Sequence, residues 1–186
     1  LAVGAVFLVL TSTAADLAKY FLGRRDLYGL FQLFLVGLEQ NVPTFFSIGL
    51  LAFASLLLGL IAVLKKQEKD RETSKWMILA FGFLFMAVDE GWSLHEGLIQ
   101  PVRRFLGDRT LDIFHWAWVV PAIVLVLVLA LFFLGFLVRL PTETRLIFLV
   151  AGGLFLGGAL GFEMIGGRFY KLYGWNPTYI LMVALE

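Results

Sequence analysis

The chain has 186 residues, 60% of them hydrophobic and 16% charged, with a mean hydropathy of +0.89. A soluble domain carries roughly 25% charged residues, and a chain this size cannot bury so much apolar surface in one aqueous core; disorder, a secreted disulfide scaffold and a conventional soluble enzyme are excluded, and the lipid bilayer is the expected solvent. Fifteen Lys and Arg against fourteen Asp and Glu leave a net charge of +1, which points to no nucleic-acid partner, and the absence of Cys removes disulfides, thiolate metal sites and a Cys nucleophile.

A membrane-crossing helix needs about 20 mostly apolar residues. The first candidate span is 1–22, ended by Gly23-Arg24-Arg25-Asp26; it lacks the positive start and small-residue cleavage pattern of a signal peptide. Residues 27–38 are apolar but too few to cross, which predicts a short interfacial helix or re-entrant piece. Asn41-Val42-Pro43-Thr44 reads as a helix start, with Asn41 as cap and Pro in the first turn, and opens a second span over 42–64. After the polar stretch 65–75 come spans at 76–99, closed by Pro101, at 113–138, kinked at Pro121, and at 145–167. A sixth begins at 177 and runs to Glu186, inside an apolar run, so the chain reads as part of something longer. The prediction is an all-α, polytopic transmembrane bundle of about six spans in a single domain, 1–186.

Alternation puts loops 1–2, 3–4 and 5–6 on one side, here side A, and the others on side B. Lys and Arg are nearly balanced between the two, but Lys65, Lys66, Lys69, Arg71 and Lys75 crowd one short loop. The positive-inside rule therefore favours a cytoplasmic 65–75 loop.

The polar residues of the spans are unevenly placed. In Asp89-Glu90-Gly-Trp92-Ser93-Leu-His95-Glu96, a straight helix would align Asp89, Ser93 and Glu96 on one face, flanked by Glu90 and His95. Glu163 in span five and Glu186 in span six reach the same half of the membrane, as do Asp16, Glu39, Asn41, Asp112 and His115 at span ends. The side-B half is almost purely Leu, Val, Phe and Ala. A carboxylate in hydrocarbon costs about 2.5–3.5 kcal/mol even on insertion scales, and no Lys or Arg lies deep in any span to offset it. Glu39, Glu96 and Asp112 are near enough to helix ends for headgroups and water to solvate them. Asp89, Glu90, Glu163 and Glu186 need protons, bound cations, water, a partner or the two His. Gly153, Gly157 and Gly161 form an i, i+4, i+8 row suited to close helix packing.

Two His are too few for the usual catalytic zinc site, the Glu-x-x-His spacing of ferritin-like di-iron sites is missing, and Ser93 has no base-and-orienter set. No phosphate loop or dinucleotide fingerprint occurs. The aromatic residues read as packing or lipid-facing, with Trp116 and Trp118 suited to an interfacial belt.

Three motifs, EQNVPTFFS at 39–47, DEGWSLHE at 89–96 and GGALGFEM at 157–164, resemble a family of uncharacterised bacterial polytopic membrane proteins over nearly the whole chain. That resemblance implies a bacterial inner-membrane protein of this topology, with further acids beyond Glu186, and no activity.

The reading that follows is an integral membrane protein with a divalent-metal site on side A, a redox di-metal centre included. Asp89, Glu90, His95, Glu96, Glu163 and Glu186 are its first candidates, with His115, Asp112, Glu39 and Ser93 behind them. Carboxylate and imidazole donors favour Fe or Mn over Zn. The alternatives are an accessory subunit of a larger membrane complex or a homo-oligomer, holding its acids protonated and packing through the Gly row, and, last, a proton or cation conductor.

Overall fold

The computed structural model describes residues 2–22, 32–38, 40–107 and 114–185, and all the regular structure among them is helical. In chain order the helices are α1 (Ala2–Leu22), α2 (Val42–Gln67), α3 (Thr73–Trp92), α4 (Ile99–Leu106), α5 (Val119–Arg139), α6 (Thr142–Leu156), α7 (Glu163–Tyr173) and α8 (Pro177–Leu185). A π-helical segment, Gly157–Phe162, joins α6 to α7 in one run of 32 residues. That run, α1, α2 and α5 are each long and apolar enough to cross a membrane; the bent pair of Thr73–Trp92 and Leu94–Leu106 makes a fifth if taken as one span. Among the described residues four or five helices thus qualify as spans; α8, where a sixth was expected, contributes nine described residues, too few to qualify.

The third span departs furthest from expectation. Its helix stops at Trp92, Ser93 adopts a left-handed backbone (φ 50°, ψ 42°), and the chain continues through a 3-10 turn, Leu94–Leu98, into α4. The two arms differ in direction by 79°. Pro101 lies in the first turn of α4 rather than closing a span, and Pro121 lies in the first turn of α5 rather than kinking it. First-turn residues have no intrahelical partner for an N–H, so Pro is tolerated there without a bend.

α2 and α3 form an antiparallel hairpin. Gly59 brings the helices close enough that a Cβ there would sit 4.0 Å from that of Ala80, and the Ser55 hydroxyl donates to the Ala80 carbonyl at 2.8 Å. At the side-B end, Trp76 packs edge-on against Phe136 and Phe148, ring centres 5.1 and 5.7 Å away, over Ala62 and Phe133. This knot ties α2, α3, α5 and α6. Around it Arg139 pairs with Glu72, and Lys75 Nζ lies 3.1 Å from the Phe132 ring centre. In the 68–72 turn, the Glu72 N–H and then Lys65 hold the Asp70 carboxyl below its usual range.

The described part of the predicted interfacial helix, 32–38, is a series of turns. It is fastened to α1 by the Val36 N–H, which donates to Ser12 Oγ at 2.8 Å, and Ser12 is buried at mid-helix. Irregular backbone at membrane depth is tolerated only where protein satisfies its polar groups. Asn41 does this. Its Oδ1 caps α2 through the Thr44 N–H at 3.1 Å, and its amide donates to the carbonyls of Leu35 at 2.5 Å and Leu38 at 2.9 Å, with Gln32 more distant at 3.4 Å. The Thr44 hydroxyl donates to the same Oδ1.

The Gly153–Gly157–Gly161 row does not pack within the chain: a Cβ at any of the three would meet nothing within 4 Å among the described residues. The π segment breaks the 3.6-residue period, so the row is not continued into the packed face of α7. There Gly166 and Gly167 are buried, and a Cβ on Gly167 would lie 2.8 Å from Trp116 Cδ1 and 3.2 Å from His115 Cβ.

Two predictions follow from the packing. Asn41→Ala removes the cap and strands buried carbonyls, an expected loss on the order of 2–4 kcal/mol; Asn41→Asp, which keeps the cap acceptor but not the amide donors, falls between. Thermal unfolding in detergent micelles checks the order. Gly167→Ala forces a rigid indole to move, at about 1–3 kcal/mol, whereas Gly153→Ala meets no neighbour and gains up to about 1 kcal/mol in helix propensity. Equal effects in the same melts would overturn the packing.

Candidate functional site

The helix break at Ser93 creates the site. Beyond it, the His95 N–H donates to Asp89 Oδ1 at 2.8 Å, and the ring folds back so that Nδ1 lies 2.9 Å from Asp89 Oδ2. One carboxylate thus takes a backbone and a side-chain partner, and both residues are about three-quarters buried, with side chains 23% and 27% exposed. The expected alignment of Asp89, Ser93 and Glu96 along one helix face does not occur. Ser93 is the hinge, and Glu96, in the 3-10 turn, is exposed. Glu90 is half-buried on α3.

The other face of the site comes from the entry to α5. The Trp118 ring packs on His95 with centres 4.6 Å apart at 56°, and its indole N–H donates to Glu163 Oε1 at 3.1 Å. Glu163 is the first residue of α7, placed directly after the π segment, a feature that often accompanies functional positions. Asp89, His95, Trp118 and Glu163 therefore form one chain across three segments, in which Glu163 meets an indole rather than a second carboxylate.

His115 lies beside this chain, between Trp116 and Tyr170, ring centres 4.7 and 5.7 Å away. Arg103 of α4 donates to its backbone carbonyl at 2.6 Å. Burial, then the charges of Arg103 and Lys171, push its imidazole below the ordinary 6.5, against a smaller opposing pull from Glu163.

Of the six first candidates, those that are described come together in part. Asp89 and His95 touch, Glu163 joins through Trp118, and His115 feels Glu163 electrostatically. Among the described residues no group of three or more His, Asp or Glu side chains is placed to hold a metal ion. Glu39, Asp112 and Glu186 lie outside the described residues. Sequence reasoning missed Trp118 as a site residue; an indole donor at the level of an intramembrane acid was the available signal.

The His115 shift has a pH consequence. Its folded value lies below its unfolded one, so as pH falls through about 6.5 the unfolded chain binds the proton first and stability declines. His115→Phe keeps the ring contacts and removes the titration. Melting curves between pH 5 and 8 are expected to show a shallower acid loss in this variant than in the parent; identical slopes would exclude His115 as their source.

No curated protein and no solved structure matches the chain. Residues 1–186 match a family throughout, and the chain belongs to it: the domain of unknown function DUF8692.

Proposed function

We propose that the chain is a multi-pass integral membrane protein, of the bacterial inner membrane, whose side-A end carries an acid–base site built on His95. The observation that carries this reading is the double engagement of His95 by Asp89. A neutral imidazole donating from Nδ1 to a carboxylate leaves the Nε2 lone pair available, the arrangement of a general base. Trp118 covers one ring face and holds Glu163 as a second protonatable group nearby. The expected orientation keeps the 65–75 loop in the cytoplasm and opens the site on the opposite side.

A second reading keeps the metal. A carboxylate on Nδ1 is also what orients a metal-bound imidazole and presents Nε2 to the ion; Fe or Mn fit such donors better than Zn. The further ligands would have to come from outside the described residues.

Carbethoxylation of the protein, followed by mass spectrometry, separates these readings, since only two His are present. The acid–base reading expects His95 to react several-fold faster in the parent than in Asp89→Asn, with no effect of EDTA. Protection of His95 that EDTA relieves, together with stoichiometric Fe or Mn by elemental analysis, selects the metal reading. Equal reactivity in parent and Asp89→Asn, without protection, overturns both.

A further inference from the structure

A second polar feature is lined by Trp116, two residues before the Trp118 that packs on His95. The end of α1, the 32–38 turns, α7 and α8 form the rest of this half-open cavity of ≈ 320 Å³. Asp16 and Lys19, three residues apart on α1, lie on its wall, as do the rings of Trp116, Tyr170, Trp175 and Tyr179. Trp116 and Tyr170 stack at 27° with centres 6.2 Å apart, and Tyr170 and Tyr179 lie 5.0 Å apart. The Lys19 ammonium is 5.3 Å from the Trp175 ring centre, so one ring face already attracts a cation. The remaining wall is apolar, from the 32–38 turns and α8.

Size, charge and depth each limit the occupant. Small-molecule sites span about 300–1,000 Å³, so this one has room for a headgroup-sized ligand. One carboxylate and one ammonium on the same wall disfavour a ligand of single charge, because each repels what the other attracts. They complement a zwitterion. The rings add affinity for its cationic end. The cavity lies at the last turns of α1 and α7 and the start of α8, the level at which Trp and Tyr meet lipid headgroups.

We infer that this cavity binds a zwitterionic headgroup joining a phosphate to an ammonium, the phosphate directed to Lys19 and the ammonium to Asp16 and the aromatic faces. The chemistry is shared by an aminophospholipid and by a free phosphoethanolamine.

Two Trp on the wall provide the signal. Protein in a maltoside detergent is titrated with dihexanoyl phosphatidylethanolamine, dihexanoyl phosphatidylglycerol and free phosphoethanolamine while Trp fluorescence is read. The expected result is saturable binding of phosphatidylethanolamine about tenfold tighter than phosphatidylglycerol, the scale of one charge-assisted contact. Asp16→Asn is expected to erase that preference, and Lys19→Gln to weaken both lipids while Lys19→Arg retains them. Given the preference, binding of free phosphoethanolamine at similar strength assigns the ligand to the soluble pool, and its failure to bind assigns it to the membrane. Equal affinity for the two lipids in the parent protein overturns the inference, whether or not Asp16→Asn folds. So does a preference that survives in both Asp16→Asn and Lys19→Gln.

Discussion

A backbone amide inside hydrocarbon has no water to turn to, so each departure from helical geometry must be met by a side chain. Among the described residues of side A, two such departures are each held by one polar residue. Asn41 supplies donors for the carbonyls of the 32–38 turns while capping α2. Asp89 accepts the His95 N–H just beyond the break at Ser93. The rest of side A is built on these two solutions. The 32–38 turns approach α8, where a Cβ on Gly37 would lie 3.0 Å from Val183, and the bend after Trp92 leads into α4, whose Arg103 reaches the His115 carbonyl.

The two ends of the bundle are stabilised by different means. At side B an aromatic cluster around Trp76 and Phe136 interlocks the helices, with the Lys75 ammonium at its edge. At side A the helices meet through indoles, imidazoles and carboxylates. α5 is common to both, with Phe133 and Phe136 in one cluster and Trp118, just before its first turn, in the other. The apolar cluster fills one end, whereas the polar end contains the cavity and the Asp89–His95 pair.

Much of this architecture is legible in the residues, and what is not has identifiable causes. Apolar runs located the long helices, and Asn41 with Pro43 marked the start of α2. The acids and His that crowd one half of the spans include Asp89, His95 and Glu163, which Trp118 links. The bend at Ser93 was hidden because a period of 100° per residue extends through any run without Pro, and DEGWSLHE contains none. The Gly153–Gly157–Gly161 row has the spacing of a packing ridge, but spacing alone does not say what it packs on; within the described chain the close contacts come at Gly166 and Gly167, after the π segment. Trp118 was assigned to the headgroup belt on residue type, although its N–H is committed to Glu163. Pairings between segments distant in the chain leave no periodic trace.

Asp89 binds a main-chain amide with one oxygen and an imidazole nitrogen with the other. The position of the imidazole and the direction in which the chain leaves α3 therefore depend on the same side chain. The arm that leaves the bend, α4, carries the Arg103 that reaches the His115 carbonyl, so one carboxylate underlies both the placement of a ring and the anchoring of the stretch that leads into α5.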